Sequence, residues 1–384
     1  AVYFCNDIES LLGESDFSFH KKRVLLFPTS YKRPYEVEKT DNSNVLMRTE
    51  VLKRISTRAR NTLIVTYPEA LSEKVITKGY LEKATLKLKR GETVDLDFMY
   101  DLLDQYGFER VDFVAEPGQV ALRGGIIDVF SYTNDYPYRL EFSGDLVDSI
   151  RSFDPVSQLS KDKLDHITIV PNVQDRLLQE KRVSFPDFLP ADSILWLYDT
   201  AFTLDKLEQE FQKAKMAFES LQQGPVSHLE PEELFIGKEM FQRTLLNFHL
   251  IEFGKHPSFV PDLRLEFNIA PQPSFNKNFD LLLANLLENT ENGIRNVILA
   301  DNPKQVERIY SILDDLVKNR GGEQEPEVSV INLSLHEGFI DRKRGLACYT
   351  DHQIFERYHK YHLAESFSGK QALTLKELYD LKPG

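Results

Sequence analysis

Two neighbouring stretches, QVALRGGIIDVF at 119–130 and YPYRLEFSGDLVDSIRSFD at 136–154, contain the clearest structural pattern in this chain. In both, large apolar residues alternate with small, polar or charged ones. The large apolar members are Val120, Leu122, Tyr138, Leu140 and Phe142. Side chains of a strand point alternately to opposite faces, so each stretch predicts a strand that buries an apolar row. The same alternation holds Arg123 and Arg139 on the polar face, and residues 132–137, rich in Asn, Asp and Pro, supply the turn between the strands.

The two arginines have two possible roles. Arginines held on a rigid sheet face are typical anchors for a protein partner. They could instead form local ion pairs, for example with Glu141, and such exposed pairs contribute little. Composition alone slightly favours the local pairs.

The order of residues in this region also resembles a known family. The runs LRGGIIDVF at 122–130, YRLEF at 138–142, GD at 144–145 and DSIR at 148–151 are similar to the excision-repair subunit UvrB and to the transcription-repair coupling factors. In both families this segment belongs to a small domain that docks on the repair protein UvrA. The resemblance therefore implies that Arg123, Arg139 and Ser143 contact UvrA. The family pattern at 141–145 is Glu-Phe-Phe-Gly-Asp, so Ser143 replaces a phenylalanine and removes its apolar contact.

Composition excludes several classes of protein. The 384 residues are enough for about two to four domains, and their net charge is −13. Residues 90–165 hold seven Lys and Arg against sixteen Asp and Glu, which argues against binding of a phosphate backbone there. No apolar run is long enough to span a bilayer, so no membrane partner is expected. Two distant cysteines, Cys5 and Cys348, indicate no disulfide scaffold, and a reducing cytoplasm is expected.

The chain divides into regions of different pattern. Residues 1–85 alternate strand and helix: 1–5, 23–27 and 63–66 predict strands, and Val45, Leu52 and Ile55 form the apolar face of a helix between the last two. Residues 86–170 read as an inserted α+β unit with a helix at 96–105. The α/β pattern returns with a central strand predicted at 193–198. A long helix is predicted over 204–221, and it either packs on its own domain or forms a coiled-coil surface for a partner. Packing on its own domain is favoured, because about three heptads are few for a coiled coil.

A further α/β domain follows a linker at 267–273. It is predicted to contain strands at 296–300, 328–332 and 345–349. Asn302 and Pro303 predict the cap and first position of a helix, whose buried face holds Val306, Ile309 and two leucines. Both ends of the chain look cut, which predicts a fragment of a longer protein.

Nucleotide chemistry has little support. The Gly-Lys pairs at 237–238, 254–255 and 369–370 lack the upstream glycine and the following Ser or Thr of a phosphate loop. The UvrB family has a working nucleotide site and a long aromatic hairpin, whereas only residues 28–44 are available here for such a hairpin. Both observations favour the coupling factor, in which the corresponding site is degenerate.

The sequence gives equally little support for a metal site or a catalytic nucleophile. His352, Glu356, His359 and His362 could approach one another on a helix, but a polar linker helix is the better interpretation. Asp95 and Asp97 precede and begin the helix at 96–105 and are interpreted as caps.

The sequence is thus identified as similar to the N-terminal, UvrB-like region of a coupling factor. The expected fold is a multidomain α/β protein: a degenerate RecA-like domain (1–85 and 171–266), an inserted α+β UvrA-binding domain (86–170), a small α/β domain (267–366) and a linker (367–384) that leads to an RNA-polymerase-binding domain. We expect no catalysis and no cofactor in the fragment. By resemblance, the intact protein uses ATP and Mg²⁺ to translocate on double-stranded DNA and displaces stalled RNA polymerase. The alternative is a fragment of the UvrB-type ATPase that verifies DNA damage.

Overall fold

A computed structural model describes residues 1–14, 21–31, 34–35, 42–59, 61–170, 172, 181–221, 228–254, 257–300, 302–320 and 325–358. The helices in this part of the chain are α1 (Val2–Leu11), α2 (Asn42–Ser56), α3 (Pro68–Ser72), α4 (Lys78–Lys83), α5 (Leu96–Gln105), α6 (Phe185–Phe188), α7 (Thr200–Leu221), α8 (Pro231–Leu234), α9 (Lys238–Leu245), α10 (Phe279–Glu291), α11 (Pro303–Asn319) and α12 (Asp351–Ile354).

The strands combine with these helices in a mixed α/β arrangement, which confirms the predicted class. They are β1 (Val24–Phe27), β2 (Leu63–Thr66), β3 (Val75–Ile76), β4 (Leu86–Lys89), β5 (Glu109–Arg110), β6 (Gln119–Arg123), β7 (Ile126–Val129), β8 (Tyr138–Ser143), β9 (Leu146–Phe153), β10 (Ser160–Leu164), β11 (His166–Ile169), β12 (Arg182–Val183), β13 (Ile194–Tyr198), β14 (His249–Phe253), β15 (Ile269–Pro271), β16 (Arg295–Ala300), β17 (Val328–Asn332), β18 (Phe339–Asp341) and β19 (Leu346–Thr350).

The described residues form two compact units, one within 1–14 and 260–358 and the other within 21–259. The domain boundaries expected at residues 86, 171 and 267 stay predictions.

The strand predicted at residues 1–5 is wrong, because these residues begin helix α1. Cys5 and Glu9 are buried and lie one helical turn apart. An apolar run of four or five residues does not distinguish a strand from the start of a helix, and the helical spacing appears only further along the chain.

The βαβ unit near the start of the second unit matches the prediction. Strands β1 and β2 pair in parallel, and α2 connects them. Val45, Leu52 and Ile55 of α2 are buried, as the spacing predicts. A parallel pair needs such a crossover, and the helix covers one face of it.

The strand predicted to be central at 193–198 forms as β13, but among the described residues its one neighbour is β14. Burial alternates along β13: Leu197 is buried, while Trp196 and Tyr198 are exposed. The continuous apolar run had suggested burial on both faces.

The largest sheet has the strand order β10-β9-β8-β7-β6-β5 and is antiparallel except at β5–β6. One face packs on α5 and on the β4–β11 pair in a single apolar core. Its fully buried members include Met99, Leu103, Ile127, Leu140 and Ile169. This core covers one face of the sheet, and the predicted arginines lie on the other face.

The unit within 1–14 and 260–358 contains a five-stranded mixed sheet of order β15-β18-β19-β16-β17. Its strands β16, β17 and β19 lie where the sequence predicts them. The side chain of Asn302 accepts a hydrogen bond from the backbone N–H of Gln305, and Pro303 is the first residue of α11. Both predicted helix-start signals are therefore confirmed.

Candidate protein-binding site

Two tight turns set the geometry of the predicted site. Gly124 and Gly125 join β6 to β7, and Gly144 and Asp145 join β8 to β9. The φ angles of Gly124 and Gly144 are +60° and +62°, in the left-handed region that favours glycine. Two-residue loops with glycine are favoured in hairpins because their twist matches that of the strands.

The register of these hairpins brings the predicted residues onto one face. Asp128 lies directly opposite Ala121 on β6 and Arg139 on β8, and Arg139 lies opposite Arg151 on β9. Cross-strand partners share a face, as do residues two apart on one strand. We call this surface the arginine face, and its members are Arg123, Ile126, Asp128, Arg139, Glu141, Ser143 and Arg151.

Asp128 is fully buried beneath the arginine face and binds both predicted arginines. Its Oδ1 accepts a hydrogen bond from Nε of Arg139 at 2.7 Å, and its Oδ2 accepts one from Nη2 of Arg139 at 2.8 Å. The same Oδ2 accepts a hydrogen bond from Nη2 of Arg123. The two-point contact fixes the plane of the Arg139 guanidinium, and this hydrogen bonding raises the pKa of Arg139. One carboxylate thus serves two guanidinium groups, and the trio keeps a net positive charge.

The two arginines differ in accessibility. The Arg123 side chain is 37% exposed and the Arg139 side chain 17% exposed. The Arg139 guanidinium also lies over the ring of Phe153, 4.4 Å from its centroid. Arg123 is therefore the more accessible of the two arginines, whereas Arg139 is held by Asp128, Phe153 and Gln158.

Glu141 is not the partner of either predicted arginine. It forms an ion pair with Arg151 and accepts a hydrogen bond from Oγ of Ser149 at 2.6 Å. The sequence offered Glu141 as one example of a partner in local ion pairs. Such ion pairs do form, but their acid is Asp128. The cross-strand register instead pairs Arg139 with Asp128, eleven residues away.

Ser143 lies at the end of β8, exposed and opposite Leu146 of β9. It shares the face of Arg139 and Glu141, as the alternation predicts, and Leu146 is an exposed apolar side chain beside it. The structure thus brings Arg123 and Arg139 together through one carboxylate and places Ser143 further along the same surface.

Sequence reasoning gave Asp128 no role, although the residue lies inside the quoted motif. A lone acid between Ile127 and Val129 in a buried apolar strand was the available signal. A buried carboxylate needs partners, so its position between two arginine-bearing strands points to them.

The Gly-Lys pair at 237–238 does not form a phosphate site. Gly237 caps α9, and the backbone N–H of Lys238 donates to Oε2 of Glu208 at 3.3 Å. A bound phosphate would accept hydrogen bonds from the backbone N–H groups at this helix start, but the Glu208 carboxylate already accepts the one from Lys238. Of the other two pairs, Lys255 and residues 369–370 lie outside the described residues.

Within the described part of the chain, no group of three or more His, Cys, Asp or Glu side chains could hold a metal ion. Nε2 of His352 lies 2.9 Å from the backbone oxygen of His336. His359 and His362 lie outside the described residues. Asp95 accepts a hydrogen bond from the backbone N–H of Phe98, which confirms it as the cap of α5, and Asp97 lies in the first turn.

Cys5 and Cys348 are both free and buried, and burial raises the pKa of the Cys348 thiol. Within the described ranges, every helix is too short or too polar to cross a bilayer.

Comparison with known proteins adds the family context. Residues 86–174 match the family model described as UvrB interaction domain. A transcription-repair-coupling factor of Myxococcus xanthus is 32% identical over 176 residues, covering 46% of this chain and 15% of the relative. The one of Escherichia coli K12 is 32% identical over 138 residues, covering 36% of this chain and 12% of the relative. The one of Staphylococcus aureus MSSA476 is 22% identical over 362 residues, covering 78% of this chain and 31% of the relative.

The predicted resemblance to transcription-repair coupling factors is therefore confirmed, and a UvrB interaction domain is present. The chain spans less than a third of the length of these relatives.

Proposed function

We propose that this chain is the UvrB-like module of a transcription-repair coupling factor and that its arginine face binds UvrA. In this role the module recruits UvrA to a stalled RNA polymerase in transcription-coupled nucleotide excision repair. It performs no chemistry itself. The contacts with RNA polymerase and double-stranded DNA, and the ATP- and Mg²⁺-dependent translocation, belong to other regions of the longer protein.

The observation that carries this proposal is the Arg123–Asp128–Arg139 trio, which lies within the matched UvrB interaction domain. Asp128 holds both guanidinium groups before any partner arrives, so binding orders little additional side chain. Arg123 can direct its other donors to a carboxylate of the partner with charge assistance. Arg139 is more fully engaged, because its Nη1 and Nη2 also donate to the backbone oxygen and Oε1 of Gln158 at 3.5 and 3.4 Å.

Other described elements are those expected of the RecA-like part of such a module. The β1–α2–β2 crossover and the parallel β13–β14 pair are what a degenerate RecA-like domain would contribute. The alternative, a fragment of the UvrB-type ATPase, has weaker support. All the relatives named above are coupling factors, and β1 and α2 are separated by only residues 28–41, which leaves little room for a DNA-threading hairpin.

Binding of the full chain to UvrA from the same organism tests the proposal. Arg123→Ala and Arg139→Ala should each weaken the measured affinity about 10- to 100-fold, the range expected for an arginine anchor. Alanine is preferable to a charge reversal, because a glutamate at either position would face the buried Asp128. In Arg123→Ala, both hydrogen bonds from Arg139 to Asp128 remain, so the fold should persist. Arg139→Ala removes the donor to Oδ1 of this buried carboxylate, so its melting temperature is measured together with its affinity.

Arg90→Ala is the matched control. Arg90 pairs with Asp165 at 3.2 Å in the same domain, and both side chains are largely exposed. Its loss should leave UvrA affinity and melting temperature unchanged. Wild-type affinity in both anchor variants, with unchanged melting temperatures, would show that the docking surface lies elsewhere.

Ser143→Phe tests the third predicted contact in the same assay. If a phenylalanine at this position enters the interface, it should tighten binding about 10-fold through added apolar burial. Equal or weaker binding would mean that position 143 is not a lost anchor.

A further inference from the structure

We propose that Phe113 supplies the aromatic contact of the arginine face, a role that Ser143 cannot perform. The proposal rests on the proposed function and names a further binding residue for the same partner. The partner surface would then need an apolar recess for a phenyl ring, next to a carboxylate that meets Arg123.

Phe113 is an exposed aromatic residue, with 63% of its surface accessible. It lies in the loop between β5 and β6, and the guanidinium of Arg123 lies over its ring, 5.2 Å from the centroid. This cation–π contact joins the aromatic ring directly to the more accessible arginine of the face. Ile126, which is opposite Arg123 on β7, extends the apolar surface.

The loop that presents Phe113 is held on both sides of it. The next residue, Val114, is fully buried in a small cluster with Ala121, Phe130 and Phe153. On the preceding side, the backbone N–H of Val111 donates to the backbone oxygen of Val120 at 2.9 Å.

Two glutamine side chains add to this restraint. Nε2 of Gln158 donates to the backbone oxygen of Val114 at 3.2 Å. Oε1 of Gln119 accepts hydrogen bonds from the backbone N–H groups of Ala115 and Glu116, both at 2.9 Å. An exposed ring on a restrained backbone is a preorganised anchor, because little loop entropy is lost on binding.

The residue types on the arginine face indicate what the Phe113 ring would add to binding. Interfaces draw most of their affinity from a few aromatic and arginine residues near the centre of the contact. The arginine face has three guanidinium groups, from Arg123, Arg139 and Arg151, but only a serine at position 143. Phe113 places an aromatic side chain against one of those guanidinium groups, and the pair would be covered together when a partner docks.

The test measures binding of UvrA to the full chain with Phe113→Ala. We expect affinity to fall at least about 10-fold with an unchanged melting temperature, since an exposed ring contributes little to folding. Phe98→Ala is the matched control. Phe98 belongs to the same domain and is 59% exposed, but it lies on α5, which packs against the opposite face of the sheet. Its removal should change affinity less than twofold.

The outcomes separate this inference from the proposed function. If Phe113→Ala binds within twofold of wild type while Arg139→Ala has lost affinity, Phe113 is not an anchor and the proposed function stands. If Phe98→Ala loses as much affinity as Phe113→Ala, the effect is a general loss of apolar surface, and the assignment to Phe113 fails. If the wild-type chain does not bind UvrA at all, both proposals fail together.

Discussion

At the scale of single residues, Asp128 determines how the candidate site is arranged. It is fully buried, yet it receives hydrogen bonds from two guanidinium groups. An ionised carboxylate in such a place would be costly without these partners. Arg123 and Arg139 consequently act as one unit, although each comes from a different strand. Sequence reasoning found the two arginines and missed the residue that connects them.

Asp128→Asn should therefore weaken both stability and binding. The neutral amide cannot satisfy two guanidinium groups, and its NH₂ group would face their donors. We expect the free energy of unfolding to fall by about 2–3 kcal/mol, less than for a fully buried pair because Arg123 is partly exposed. Urea denaturation measures this loss, and UvrA affinity should fall along with it.

Asp165→Asn is the comparison for this change. It neutralises an aspartate whose arginine pair is exposed, so stability should hardly change. An Asp128→Asn variant as stable as Asp165→Asn would contradict the view that Asp128 holds the two arginines.

At the scale of elements, the β6–β7 and β8–β9 hairpins place the predicted residues on one surface. Gly125 lies where β7 begins, and its backbone oxygen accepts a hydrogen bond from the backbone N–H of Phe142 at 2.7 Å. The register between β8 and β9 shifts between Glu141 and Phe142, which is a β-bulge. Beyond the bulge, Phe142 still packs toward the core while Ser143 is exposed.

Gly125→Ala should destabilise the sheet by about 1–3 kcal/mol. A Cβ atom at this position would lie 2.9 Å from the backbone oxygen of Phe142, so the strands would have to separate. Thermal denaturation followed by circular dichroism measures the effect. Gly79→Ala is the control, since a Cβ atom there meets nothing within 4 Å and the residue lies in helix α4. That variant should be neutral or slightly more stable; equal losses in both variants would rule out the steric explanation.

At the scale of the whole molecule, the described residues form two units, and the arginine face belongs to the one within 21–259. Within that unit, Gly237 and Lys238 are the Gly-Lys pair with both residues described. The Glu208 carboxylate lies at their helix start and accepts a hydrogen bond from the backbone N–H of Lys238. A carboxylate in this position repels phosphate. The module therefore lacks the local chemistry that nucleotide binding would need at this point.

We accordingly expect no nucleotide binding by the full chain. Calorimetric titration with ATP and Mg²⁺ should give no saturable heat up to millimolar nucleotide. A micromolar dissociation constant that disappears in Lys238→Ala would overturn this expectation and would favour the UvrB-type alternative.

Local patterns in the sequence were sufficient for several features of this protein. Alternation placed Arg123 and Arg139 opposite the apolar row, and Asn302 with Pro303 marked the start of α11. The order of residues around the two hairpins indicated the resemblance to transcription-repair coupling factors. These features depend on residues that are neighbours along the chain, so periodicity and cap chemistry are enough to find them.

The tertiary structure alone decided which groups meet. The pairing of Asp128 with two arginines, and of Glu141 with Arg151, depends on strand register and on a bulge. The exposure of Phe113 depends on Val114, which is buried against residues up to 39 positions further along the chain. A one-residue shift in register would turn each of these side chains to the opposite face. Two-residue turns set the register of the β6–β7 and β8–β9 hairpins, but the register between β7 and β8 depends on hydrogen bonds and packing across a longer connection. No local sequence pattern therefore shows that Asp128 meets both arginines.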